Sequence, residues 1–287
     1  DCRELKSYED IKKAVKKYII FGRVNPEQKK QIIKALKELG LKVAMTGDGV
    51  NDILAMKESD CSIAIGSGAD AARETAQVVL LDSDFGNMRD IVYEGRKNIN
   101  NITRSASLFT YKNIFSLLLS IYSIVFAMQY PLEPNQVSLG SAFTIGIPAF
   151  LLTFEENQKK QQNGNFLKKV FKNSLPAAIT SFLVIVAMVR FSVLFNVSGQ
   201  EITTACSYLF FTGGFLILYK IIRPLNKYRS SVMALCILGI LLTINVMPDF
   251  FAIKAISERA AALVTLFAIA EFSVIRWITL LLDKFEK

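Results

Sequence analysis

Apolar and polar positions follow two regimes along this chain, and the change comes near residue 105. Before it, short apolar runs alternate with helical stripes. Tyr18 to Gly22 reads as a strand, and Pro26 then opens a helix with Ile32, Ile33, Leu36 and Leu39 on one face and Gly40 at its end. Leu41 to Met45, Ser62 to Ile65 and Val78 to Leu81 read as further strands, with helices at about Asp52 to Ser59 and Ala69 to Ala76. This alternation predicts a parallel α/β sheet of the Rossmann-like kind, with ligands gathered at the C-terminal ends of its strands. From Phe85 one helical stripe, Met88, Ile91, Val92, Ile99 and Ile102, continues without a breaker into a long apolar run.

Beyond residue 105 six runs, at about 106–128, 137–154, 171–195, 203–222, 231–247 and 260–282, are long and apolar enough to cross a bilayer. The expected organisation is therefore an α/β region over 1–84, a stalk helix over 85–105 and an all-α bundle of six spans over 106–287. Lys159, Lys160, Lys168, Lys169 and Lys172, and then Lys220, Arg223, Lys227 and Arg229, fall in connectors on the same side as the polar region. The connectors Gln129 to Gln136 and Asn196 to Ile202 carry no Lys or Arg, although the third on that side has Lys254 and Arg259. The positive-inside rule then predicts a multi-pass plasma-membrane protein with its soluble region and C-terminus in the cytoplasm.

Composition sharpens this picture. A hydrophobic share of 52% in 287 residues is high for a soluble protein. The net charge of +9 does not indicate nucleic acid, because Lys and Arg concentrate in the short connectors. Cys2, Cys61, Cys206 and Cys236 are far apart and form no Cys-x-x-Cys pair, so neither zinc nor a disulfide framework is expected. The chain opens on Asp1 with no signal-peptide pattern, from which a truncated N-terminus is expected.

The chemistry concentrates at Met45-Thr46-Gly47-Asp48-Gly49-Val50-Asn51-Asp52. Asp48 and Asp52 lie four residues apart at a strand end, where a glycine-rich turn can bring carboxylates and backbone N–H groups into one crevice. Hard carboxylate oxygens suit Mg²⁺, which neutralises a transferring phosphoryl group. A lone Asp-Gly is ordinary turn chemistry.

The whole run Thr46 to Asp52 resembles the hinge motif of P-type ATPases, whose phosphorylation domain is haloacid dehalogenase-like. Arg23-Val24-Asn25-Pro26-Glu27-Gln28-Lys29 resembles the family segment whose lysine meets the phosphorylated aspartate, and Ile65-Gly66-Ser67-Gly68, Glu94-Gly95-Arg96 and Asn100-Asn101 extend the likeness. The resemblance implies Mg²⁺ as cofactor and ATP as substrate, with Asp48 and Asp52 as metal residues and Lys29, Thr46, Gly47 and Asn51 as catalytic-site residues. It also implies that the nucleophilic aspartate lies outside this chain, since no Asp-Lys-Thr-Gly-Thr segment occurs. The actuator, nucleotide-binding and early membrane segments would be elsewhere too, leaving this chain inactive alone.

For the cargo, Tyr111-Lys112-Asn113 places a charge and an amide at depth in the first span, where function is the default expectation. Asn113 corresponds to a cation-ligand position of calcium pumps, but Ser116 stands where their carboxylate is expected, and Ile145-Gly146-Ile147-Pro148 replaces their Asp-Gly-Leu-Pro. Ser141 and Thr144 offer oxygens, although such hydroxyls commonly bond their own helix. A lysine before the corresponding asparagine occurs in the gastric proton/potassium pump, and Tyr-Lys-Asn in lipid flippases, which implies a built-in counter-charge or a lipid headgroup contact for Lys112, with a snorkelling or structural lysine as the lesser alternative. Glu271 and Arg276 read as a structural pair, with cation binding by Glu271 as the alternative. The pattern is most similar to bacterial cation-transporting P-type ATPases of the E type, implying calcium or another inorganic cation as partner. A lipid flippase, or a membrane-anchored phosphatase of the same superfamily, is the competing reading.

Overall fold

A computed structural model describes residues 1–155, 165–195 and 197–284, with the side chains of 282–284 left out. Of the connector residues singled out above, Lys159, Lys160 and Asn196 lie outside the described residues. The chain divides into two compact units, Asp1–Val92 and Tyr93–Lys287.

The first unit is built on a three-stranded parallel sheet in the order β1 (Ala44–Gly47), β2 (Cys61–Ile65) and β3 (Val78–Leu80). Thr46 pairs with Ile63, and Ile63 with Val78. Parallel neighbours need crossovers, which α3 (Ile53–Glu58) and α4 (Asp70–Thr75) supply. Met56, Ala64 and Ala72 form the small core between helices and sheet. Before the sheet come α1 (Tyr8–Lys17) and α2 (Pro26–Glu38), each opened by a reciprocal capping box, Ser7 with Asp10 and Asn25 with Gln28.

Two expectations are corrected here. Tyr18 to Gly22 forms no strand, and Ile19 and Ile20 are 96% and 86% exposed. A strand requires a ladder partner, and β1, the nearest edge in sequence, pairs with β2 alone among the described strands. The first sheet strand also starts later than expected, at Ala44, because Val43 is engaged with the Asp60 carboxylate and backbone.

Helix α5 (Met88–Val125) carries the chain into the second unit as one 38-residue helix. It is followed by α6 (Pro134–Ser141), a five-residue π-helix (Ala142–Gly146), α7 (Ile147–Thr153), α8 (Phe166–Leu194), α9 (Gly199–Ile222), α10 (Lys227–Val246) and α11 (Glu258–Lys284). With α6 through α7 counted as one, six helices among the described residues are long and apolar enough to cross a membrane. Their core joins Tyr111, Phe115 and Leu119 of α5 to Ile185 and Met188 of α8 and to Leu209, Phe210 and Ile217 of α9. Leu117, Ile121, Leu183, Leu238, Leu242, Ile269 and Trp277 face outward, as lipid-facing side chains would.

Polar side chains tie this unit together at one end. Glu155, just past α7, accepts from Arg104 Nη1 of α5 at 2.9 Å, from Arg229 Nε of α10 at 2.7 Å and from Asn226 Nδ2 at 2.8 Å. Arg229 Nη1 also donates to the Ile222 and Pro224 carbonyls. All three charged side chains are at least nine-tenths buried. Burial alone would raise the Glu155 carboxyl, but the hydrogen bonds from Arg229, Asn226 and Arg104 outweigh it and hold the group below its ordinary value.

Candidate functional site

The residues chosen in the first unit converge at the C-terminal end of β1. The chain leaves the sheet at Gly47 and folds back through a 3₁₀ turn, Val50–Asp52, which buries the Asp52 side chain beneath it. Gly47 permits this, since a Cβ there would collide with Asp52. Asp52 Oδ1 accepts from Lys29 Nζ at 2.6 Å, and Oδ2 accepts from the Asp48 amide at 3.4 Å. Lys29 sits in the first turn of α2, which Pro26 and the Asn25 cap start firmly.

The loop after β2 fixes the turn from the other side. Ala69 N donates to the Asp48 carbonyl at 2.8 Å, and Gly68 lies so close to that backbone that a Cβ would not fit. Gly66 is similarly confined by the Leu80 and Leu81 carbonyls. These glycines of Ile65-Gly66-Ser67-Gly68 therefore set the approach of two loops.

What remains open at this strand end is the Asp48 carboxylate. It and Asn51 are exposed, Thr46 is half-buried, and none of the three side chains makes a hydrogen bond among the described residues. Both oxygens of Asp52, by contrast, are engaged by protein donors. Mg²⁺ binds through one or two carboxylates and completes its shell with water and phosphate oxygens. A free, solvent-facing carboxylate beside a lysine-paired one suits that ion, whereas no group of three or more His, Cys, Asp or Glu able to enclose a metal occurs among the described residues.

The residues chosen in the membrane helices are dispersed. Tyr111, Phe115 and Leu119 mark the buried face of α5; Lys112 is half-buried beside it, and Asn113, about 200° round the helix from Tyr111, is exposed. Lys112 makes no hydrogen bond or ion pair among the described residues. Ser116 is half-buried one turn further on. Ser141 and Thr144 hydroxyls donate to the carbonyls of Val137 and Gly140 in their own helix, at 2.6 and 2.7 Å. Thr144 is fully buried and lies in the π-helix that precedes Pro148, packed against Gly214 of α9. A π-turn mid-span leaves carbonyl geometry irregular, a common feature of functional sites.

The expected pairing of Glu271 with Arg276 does not form. Five residues separate them, about 140° round α11, so Glu271 is fully buried while Arg276 is exposed. Glu271 meets Ser181 of α8 instead. Ser181 was not singled out from the sequence, nor was the Arg104–Glu155–Arg229 cluster; the small pair Gly213-Gly214 within a span was the available sign of close helix contact.

The sequence is similar to that of known proteins over most of its length. A family model for haloacid dehalogenase-like hydrolases matches residues 4–60. A probable cation-transporting ATPase, exp7, of Streptococcus pneumoniae is 39% identical over 259 residues, covering 85% of this chain and 32% of that protein. The calcium-transporting ATPase CtpE of Mycolicibacterium smegmatis is 35% identical, with 86% and 33% covered, and a calcium-transporting ATPase of Bacillus subtilis is 31% identical, with 79% and 26% covered. The chain thus spans a third or less of the length of these relatives.

Proposed function

We propose, from its similarity to cation-transporting P-type ATPases, that this chain forms the Mg²⁺-binding side of the phosphorylation site and six membrane helices of an ATP-driven pump for an inorganic cation. The observation that carries the reading is the Lys29–Asp52 pair locked under the Asp48 turn at the C-terminal end of β1. Asp48 would hold Mg²⁺, which when bound neutralises charge on a transferring phosphoryl group.

The chain's own residues have separable tasks. Asp52 orients the Lys29 ammonium and braces the Asp48 amide, so that a point positive charge stands ready for a phosphoryl oxygen. Thr46 and Asn51 supply polar groups on the open side, and Gly47 keeps the backbone close enough for Asp52 to seat. The phosphorylated aspartate is supplied by a segment outside this chain, as are the actuator and nucleotide-binding parts. Domain limits of 1–84, 85–105 and 106–287 fit this division, with the soluble part and the C-terminus cytoplasmic.

In the membrane, Lys112, Asn113 and Ser116 of α5 and Ser141 and Thr144 around the π-helix would border the cation path. An ammonium and an exposed amide at membrane depth need polar partners. Further helices of the intact pump would supply them. Calcium is the cargo named for two of the relatives and is the first ion to test. Phosphoenzyme turnover in the intact pump should accelerate with Ca²⁺ or another inorganic cation; turnover stimulated by phospholipid and indifferent to cations would replace this reading with a lipid flippase.

A further inference from the structure

Four helices bring a carboxylate and two hydroxyls together in the centre of the second unit. Glu271 lies near the middle of the span Glu258–Leu281 and is fully buried. Its Oε1 accepts from Ser181 Oγ of α8 at 2.5 Å, and Ser181 Oγ lies 3.1 Å from the hydroxyl of Tyr111 on α5. A serine hydroxyl has one hydrogen, so with Ser181 donating to Glu271, Tyr111 donates to Ser181. From α9 comes Gly213, where a Cβ would strike Ser181 Oγ, Glu271 Oε1 and the Tyr111 hydroxyl together. The glycine is the notch that lets these three oxygens meet. Glu271 Oε2 is buried with no hydrogen-bond partner among the described residues.

A buried carboxylate with an orphaned oxygen and no counter-charge is costly, and such groups in membrane spans mark ion or proton pathways. The groups that could offset it do not. Tyr111 is the titratable group facing it from α5, while Lys112 occupies the neighbouring face. On α8, Arg190 is committed to Tyr122. On α9, Cys206 and Lys220 lie two turns to either side of Gly213, and Lys220 Nζ donates to Thr279 Oγ1. On α11 itself, Arg276 is exposed.

We propose that Glu271, Ser181 and Tyr111 form a proton-binding site in the membrane bundle, separate from the α5 and π-helix residues assigned to the cation path. Ligand number selects the occupant. A divalent cation would leave net positive charge in the core and needs six or more oxygens in the case of Ca²⁺. Oε1 is already engaged by the Ser181 hydroxyl, so Oε2 is the one carboxylate oxygen left uncommitted, a single ligand that suits a proton better than an alkali ion. A proton passed from hydronium adds to Oε2 and leaves a neutral carboxyl, the donor's O–H bond breaking as the new one forms and water being released. Gly214, next to Gly213, packs on Thr144. One turn of α9 therefore borders both the proton site and the π-helix.

The inference rests on the six helices lying in a membrane but not on ATP hydrolysis, and its test needs no turnover. Infrared difference spectra of the intact protein in lipid vesicles should contain a protonated-carboxyl C=O band at neutral pH. That band should disappear in Glu271→Gln and shift in Ser181→Ala, which removes the hydrogen-bond donor while keeping the acid. It should be unmoved by saturating NaCl or KCl at constant pH. Absence of the band in the wild-type protein, its survival in Glu271→Gln, an unshifted band in Ser181→Ala, or its removal by either salt would each overturn the assignment, and the last would make the occupant an alkali ion. Loss of cation pumping with an intact band would count against the proposed function and leave this site standing.

Discussion

Lys29 Nζ and Asp52 Oδ1 lie 2.6 Å apart, joining the first turn of α2 to the turn that follows β1. The carboxylate is nine-tenths buried and the ammonium about two-thirds. Lys29→Ala should therefore strand a buried charge. A charged hydrogen bond of this kind contributes roughly 1.5–3 kcal/mol. In a double-mutant cycle with Asp52→Ala, the two losses of stability should fall short of additive by about 1–2 kcal/mol. Additive losses in chemical denaturation would mean that the pair carries no coupling.

Gly47→Ala tests the seat of Asp52 without touching a charge. Its methyl group would meet the Asp52 side chain, so either the turn shifts or the carboxylate leaves Lys29. Overpacking of this kind costs about 1–3 kcal/mol. Melting temperature and Mg²⁺-dependent phosphorylation should fall together; a variant normal in both would show that the turn has room to spare.

The Glu155 cluster makes stability depend on acid. Its folded-state carboxyl is held below the ordinary value of 4.5, so its contribution is fully present above that pH and is lost as pH falls through the lower folded value. Glu155→Gln leaves Arg104 and Arg229 buried without their counter-charge, at a cost of roughly 3–5 kcal/mol. Thermal unfolding of the two proteins should differ widely at neutral pH and converge under acid. A constant difference across that range would remove Glu155 from the acid response.

Lys112→Ala separates transport from chemistry. Phosphorylation should persist, because Lys112 lies in the membrane unit and the Asp48 turn in the other. Cation transport in vesicles should change severalfold. Transport at the wild-type rate would return Lys112 to a packing or snorkelling role.

The local layout was legible in the sequence because it rests on local rules. Pro26 starts α2 as read, with the Asn25–Gln28 box added by the structure, and β2 and β3 fall within a residue of their expected limits. Six helices also coincide with the six apolar runs. The apolar run at Tyr18 to Gly22 misled, since hydrophobicity marks a segment suited to being covered but does not provide the neighbour that makes it a strand. Long-range pairings were invisible for a related reason. Arg104, Glu155 and Arg229 are 51 and 74 residues apart in sequence, and nothing local relates them. Glu271 stood out as an acid in a span, but its partner came from α8 and not from the nearby Arg276. The Thr46 to Asp52 motif was plain, whereas the division of labour between a free Asp48 and a lysine-bound Asp52 needed coordinates.

The most direct test of the central claim is Mg²⁺-dependent phosphoenzyme formation from ATP in the intact pump carrying Asp48→Ala. The account predicts that the wild-type protein forms an acid-stable phosphoenzyme in Mg²⁺ and that the variant, still folded and membrane-inserted, loses it by a factor of ten or more, on the order of 1.4 kcal/mol of transition-state stabilisation or beyond. Unchanged phosphoenzyme in the variant would contradict it.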